Sequence, residues 1–283
     1  MGVLPASSLR VSIGFRHSDQ STRVETFRGS LALLGLILWV VFLVPPVTVL
    51  ANRYETVQAI QFMMFAAVVP ALFSTGAPWR RLHLASGERH EIGLDGQRIS
   101  PQRPLLIDRW AIAHASQRGD RRAVGLVLLF VGLVVFWRSA PVVNAIEHHF
   151  LFTVVESLTI VIAGSLMWLD LVESPPFTPG TTRPFRIGMT AAAMWTLWVV
   201  AYLEAMSHDS WYSAFHHVAG QGISLSADQQ LTAGAMWFLS AVAFLPLIFW
   251  NLIHWLESEE DPNDELYRLV RQERTRGFFG TSK

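Results

Sequence analysis

A chain of 283 residues in which 51% are apolar and only 16% carry a charge has too little charge to cover a water-facing surface, which excludes an ordinary soluble domain. It holds 11 tryptophans, 18 phenylalanines, a single lysine and no cysteine, so disulfides and thiolate metal sites are excluded whatever compartment the loops face. The formal net charge of zero conceals a strong asymmetry along the chain.

The first 29 residues are polar and contain arginine. They have no hydrophobic core followed by a small-residue cleavage site and do not resemble a cleaved signal peptide. Six apolar stretches follow, near residues 30–50, 56–75, 123–137, 150–171, 187–206 and 229–255. Most reach the roughly 20 residues that a helix needs to cross a hydrocarbon core of about 30 Å. The third is short and is expected to continue into its polar flanks. Pro45, Pro46, Pro70 and Pro246 fall inside or near helix ends, where membrane helices tolerate kinks that neighbours can satisfy. The predicted fold is therefore an all-α, polytopic bundle of about six transmembrane helices.

Arginine sets the expected orientation. Arg10, Arg16, Arg23 and Arg28 precede the first stretch, and nine arginines from Arg80 to Arg122 fill the loop after the second. Arg183 and Arg186 precede the fifth, and Arg268, Arg271, Arg274, Arg276 and Lys283 lie in the tail. With six crossings all of these share one side, leaving only Arg53 and Arg138 on the other. The positive-inside rule then places both termini in the cytoplasm. The expected domains are an N-terminal cytoplasmic segment 1–29, a bundle 30–256 with a cytoplasmic loop 79–122, and a cytoplasmic tail 257–283.

Within that loop, Asp95-Gly96 between two short runs is a hairpin signal that also reads as a plain turn. In the tail, Asp261 followed by Pro262 marks a helix start, with Leu266, Leu269 and Val270 as its apolar stripe. No repeat, phosphate-binding glycine loop or nucleophile elbow is present, and no enzyme activity is expected.

The topology sorts the candidate ligands. His148, His149, His208, His216 and His217 fall on the outer side beside Glu147, Asp209 and Asp228. Imidazole with carboxylate is a ligand set for copper or zinc and a proton carrier near neutral pH. The same histidines read equally as solvated loop residues. Glu156 lies inside the fourth stretch, where a carboxylate must be paired, protonated or turned to a polar cavity. The rhythm His149, Phe152, Glu156, Thr159, Ala163 predicts one inward helix face. Ser226-Ala227-Asp228-Gln229 fits a capping box, with Ser226 as cap and Asp228 in the first turn. Met63, Met64 and Met236 offer thioethers for Cu(I), although apolar helices use methionine mostly for packing. The metal candidates are thus His148, His149, His216, His217, Glu156 and Asp228, with copper as the candidate metal.

Three segments carry a resemblance. Asp228-Gln229-Gln230-Leu231-Thr232-Ala233-Gly234-Ala235-Met236-Trp237, followed by His254-Trp255-Leu256-Glu257, resembles the D-Q-Q-x-x-G-x-x-M-W helix and terminal R-W-L-x-E of the CtaG-like cytochrome oxidase assembly factors. Glu156, Gly164 and Trp168 are similar to that family's E-H-x-x-F-x-x-x-G-x-x-x-W helix. Gln58, Gln61, Pro70 and Gly76-Ala77-Pro78 resemble its H-x-x-Q-H helix and G-x-P exit.

The resemblance implies a role in assembling, or as an accessory subunit of, a copper-containing respiratory oxidase in the bacterial inner membrane. The implied partners are the lipid bilayer and oxidase subunits, with no nucleic acid. The sequence departs from the family at its histidines, where Gln58 and Phe62 stand in the second stretch and Thr153 and Ser157 in the fourth. Six helices are also fewer than the family's usual seven. The alternative expectation is a transporter of protons, copper or another small ion, using the intramembrane carboxylates Glu156 and Glu204.

Overall fold

Lipid offers no water to the backbone, so an apolar segment that enters it must close its own hydrogen bonds as a helix. The computed structural model describes residues 11–81, 107, 111, 119–146, 150–174, 176, 177, 179–207, 211–218 and 222–260. Over these residues the chain is all-helical, with side chains described from Val24 onward. The Asp95-Gly96 turn, the Asp261 helix start, and His148, His149 and His208 lie outside the described residues.

Helix α1 (Val11–Leu43) ends where Pro45–Pro46 interrupts it, and the short α2 (Val47–Ala51) follows. The first span covers Val24–Leu43, earlier than residues 30–50, because Pro46 has no amide hydrogen with which to continue the ladder. Helix α3 (Glu55–Gly76) widens into a π-helical turn over Met64–Val68. Pro70 follows at once and offers no hydrogen to the Ala66 carbonyl, which accounts for the irregular turn there. Ala77 then adopts a left-handed conformation (φ 44°) and ends the helix before α4 (Pro78–Arg81).

Helix α5 (Gly119–Trp137) stops at Arg138–Ser139 and resumes as α6 (Ala140–Ile146), bent by 67°. Pro141 in the first turn of α6 accounts for the break, since it has no amide hydrogen to give to the Trp137 carbonyl four residues back. The expected short third span is therefore a bent helix pair. Helices α7 (Phe150–Leu171), α8 (Arg183–Met206) and α9 (Leu225–Glu260) are continuous, α9 passing through Pro246. Among the described residues five helices are long and apolar enough to cross a membrane, and there are six if the bent α5–α6 pair is one span. The chain is a multi-pass membrane protein.

Helix α3 is the most enclosed span, with 56% of its apolar window buried against 17% for α1. It packs against α1, α7 and α9, while α8 pairs extensively with α9, and α5 with α7. Phe62, Phe65, Phe130, Met167, Met236 and Phe244 fill the core, with Trp168 stacked on Phe244 at 5.3 Å. The contact of α3 with α7 is close because Gly164 faces Pro70: a Cβ there would lie 2.8 Å from Pro70 Cγ. On the outside, Leu36, Val40, Leu128, Ile162, Val199 and Phe238 are exposed, an apolar belt suited to lipid.

Candidate functional site

The break between α5 and α6 places Arg138 at a bundle end, yet its side chain turns inward and is only 1% exposed. Its Nε and Nη2 donate to Glu204 Oε1 at 3.1 and 2.7 Å, and its Nη1 donates to Gln58 Oε1. The guanidinium lies 5.7 Å from the Phe62 ring centroid and 5.0 Å from that of Tyr212. The Tyr212 hydroxyl is shared between Glu204 Oε1 at 2.6 Å and the Arg138 carbonyl at 2.9 Å. Burial pushes the Tyr212 phenol well above its ordinary range, opposed by Arg138 and reinforced by Glu204, so this group stays a donor. Three donors converge on Glu204 Oε1, and with the planar fork of Arg138 they make this a buried, charge-assisted ion pair.

Asp228 and Gln229 hold the surrounding helix ends. Helix α3 begins after Tyr54, whose side chain makes no cap bond. Asp228 supplies the missing acceptor: Glu55 N donates to Oδ2 at 2.9 Å and Thr56 N to Oδ1 at 3.2 Å, with the Thr56 hydroxyl 2.6 Å from Oδ1. A carboxylate at those amides also faces the positive end of the α3 dipole. Gln229 works at the opposite kind of end. Its Nε2 donates to the Glu204 and Ser207 carbonyls at 2.5 and 3.3 Å, where α8 stops, and its Oε1 accepts from Trp211 N at 3.3 Å.

The capping box expected at Ser226–Gln229 is thus corrected. Helix α9 starts at Leu225, and Ser224 is its cap, accepting from Ala227 N at 3.1 Å. Gln229 does not reach back to Ser226, because the orphan carbonyls of α8 engage its amide. Two residues of the D-Q-Q segment therefore fasten two other helices.

Glu156 is buried at this same end and interacts electrostatically with Arg138. The inward face of α7 is Thr153, Glu156, Ser157, Ile160 and Gly164, whereas Phe152 is 42% exposed. Of the predicted stripe, Glu156 and Ala163 are buried and Thr159 is partly buried, whereas Phe152 turns outward and the small hydroxyls of Thr153 and Ser157 pack inward in its place. Trp137, at the end of α5, holds α7 through a 3.0 Å bond from Nε1 to Thr159 Oγ1.

The other metal candidates are less convergent. His216 and His217 sit exposed on a 3-10 turn (Ser213–Val218), with His217 Nδ1 2.8 Å from the Ala214 carbonyl. Among the described residues no three His, Asp or Glu side chains are grouped so as to hold a metal ion. Met63 and Met236 lie in the apolar core. The opposite bundle end carries a second buried pair, Arg122 to Asp170, with bonds of 3.0 and 2.5 Å, beside Arg186 and Glu173 at 3.6 Å.

Sequence reasoning did not anticipate the central role of Arg138, nor Glu55 and Tyr212. One signal was available. Arg138 breaks the charge asymmetry, and Glu204 lies at a matching depth at the end of the next-but-one span.

A model of the cytochrome c oxidase caa3 assembly factors (CtaG) matches residues 12–258, nearly the whole chain. The chain belongs to that family. Neither a curated protein nor a solved structure matches it. In this member of the family, the four positions matched above to the family's histidines are all buried: Gln58, Phe62, Thr153 and Ser157. Arg138 contacts two of them, donating to Gln58 and lying over Phe62. An amide, a phenyl ring and two hydroxyls beside a fixed positive charge do not form a copper-binding set.

Proposed function

We propose that this protein serves the assembly of a copper-containing respiratory oxidase, or remains with one as an accessory subunit, in the bacterial cytoplasmic membrane. Both termini are cytoplasmic in this reading, which puts the Arg122 end inside and the Arg138 end outside, in keeping with the positive-inside rule. The observation that carries the proposal is the family match across residues 12–258. The protein acts as a scaffold without chemistry of its own, and copper binding at positions 58, 62, 153 and 157 forms no part of it. The network through Arg138, Asp228 and Gln229 supports such a role, because it ties α3, α5, α8 and α9 into one rigid end that a partner subunit can meet.

Deleting the gene should lower the amount of assembled oxidase, and affinity purification from native membranes should recover oxidase subunits. A fixed ratio would identify an accessory subunit, and capture of immature subunits alone an assembly factor. Normal oxidase levels together with no captured subunit would refute the reading. The purified protein should hold less than one copper per chain. A stoichiometric copper that is lost in Glu156→Ala or His148→Ala would overturn the scaffold version.

A second reading, transport of a proton or small ion, is favoured by the buried carboxylates Glu55, Glu156 and Glu204. Flux into liposomes that disappears in Glu156→Gln would replace the first reading with this one.

A further inference from the structure

Four buried polar atoms around Arg138 have no hydrogen-bond partner among the described residues: Glu55 Oε1, Gln58 Nε2, Glu156 Oε1 and Glu204 Oε2. Each of these residues is at most 4% exposed. The sister oxygens of Gln58 and Glu204 accept from Arg138, so their free atoms stand one bond angle away from the guanidinium. Glu55 and Glu156 both interact electrostatically with Arg138, and Glu55 also with Glu204 and Asp228. Buried polar atoms in native proteins are nearly always satisfied, if not by protein then by ordered water.

The chemistry of the set selects its ligand. Gln58 must present oxygen to Arg138, so its unpartnered NH2 group is a donor, whereas the other three unpartnered atoms are carboxyl oxygens. A metal cation among these atoms would meet the amide hydrogens. Water donates and accepts and suits all four.

The charge balance points the same way. Arg138 and the Tyr212 hydroxyl engage Glu204, and the α3 amides engage Asp228. Among the described residues Glu55 and Glu156 make no ion pair, and the Arg138 guanidinium that both face is already held by Glu204. A carboxylate buried there without an ion-pair partner is costly, and a proton is the smallest group that removes the charge.

We infer that the space around Arg138 is a buried water and proton site, in which Glu55 and Glu156 are neutral acids that share ordered water with Gln58 and Glu204. Its charged and titratable neighbours are Glu55 on α3, Arg138 at the α5–α6 break, Glu156 on α7, Glu204 on α8, Tyr212 in the following segment and Asp228 on α9. The inference is independent of the assembly reading, since it concerns what the protein binds and not what it helps to build.

Infrared spectroscopy of the full chain in lipid vesicles tests it. At neutral pH the wild-type protein should show a protonated-carboxyl stretch that shifts in heavy water. Glu55→Gln and Glu156→Gln should each remove about half of that band, as expected for two independent acids, and the double variant all of it. Absence of the band in the wild-type protein would overturn the inference, and that measurement needs no variant to fold. So would a band untouched by both substitutions in variants with native circular dichroism. Titration with sodium, calcium or zinc salts should reveal no stoichiometric binding, and a bound ion lost in Glu156→Gln would also overturn it.

Discussion

Arg138 shows why a buried charge is worth more as a partner than as an independent stabiliser. Its pair with Glu204 is 1% exposed on both sides, so neither ion can regain water if the other is removed. Replacing Arg138 by methionine leaves Glu204 alone with Tyr212 and should cost about 3–5 kcal/mol. Converting both residues, Arg138→Met with Glu204→Leu, removes the stranded charge and should recover much of that loss. Thermal unfolding of the single and double variants in one detergent measures the difference. Equal destabilisation of the two would show that the pair is worth more than its desolvation. Arg138→Lys should fall between wild type and Arg138→Met, because an ammonium keeps the charge but not the fork that reaches both Gln58 and Glu204.

At the scale of elements, helix ends and close helix crossings set the geometry. Asp228 caps a helix to which it does not belong, so its removal leaves two first-turn amides of α3 without an acceptor. Asp228→Ala should lower stability by roughly 1–2 kcal/mol, at the upper end for a cap because the site is buried. Hydrogen exchange should localise the loss to the start of α3, whereas uniform loss across the bundle would contradict the capping role. Glycine gives a paired prediction. A methyl group at Gly164 meets Pro70 and the Ala66 carbonyl, with distances of 2.8 and 3.1 Å, while one at Gly132 meets nothing within 4 Å. Gly164→Ala should therefore part α7 from α3 and destabilise. Gly132→Ala should be neutral or slightly stabilising, by about 0.5–1 kcal/mol in the helix-favouring sense. Matching thermal shifts for the two variants would refute the close crossing.

For the whole molecule, orientation is the property on which function depends, because it decides which compartment meets the Arg138 end. The absence of cysteine makes the chain a ready background for single-cysteine labelling. His216 is exposed beside the Arg138 end, and the Glu173 side chain is 65% exposed at the other. In intact cells an impermeant thiol reagent should modify His216→Cys, and should reach Glu173→Cys only after permeabilisation. Labelling of both from the same side would contradict the topology and the proposed function together.

Hydropathy was enough to find most of the spans, since an apolar run of sufficient length has one way to satisfy its backbone in lipid, although the first lies earlier and the third is bent. Residues 150–171 are a helix in the structure as the sequence predicts, whereas the bend between Trp137 and Ala140 was not anticipated. Burial of Glu156 was also legible, because a lone carboxylate in an apolar helix cannot face lipid. Asp228 and Gln229 were not legible as caps of α3 and α8. Their local pattern fitted a cap on their own helix, and their actual partners lie 172 and 25 residues away in the chain. The site around Arg138 likewise exists only once α3, α5, α8 and the Tyr212 segment are packed together. Periodicity reports the direction of a side chain relative to its own helix. Which groups it meets is decided by the neighbouring helices, through hydrogen bonds that no single segment contains.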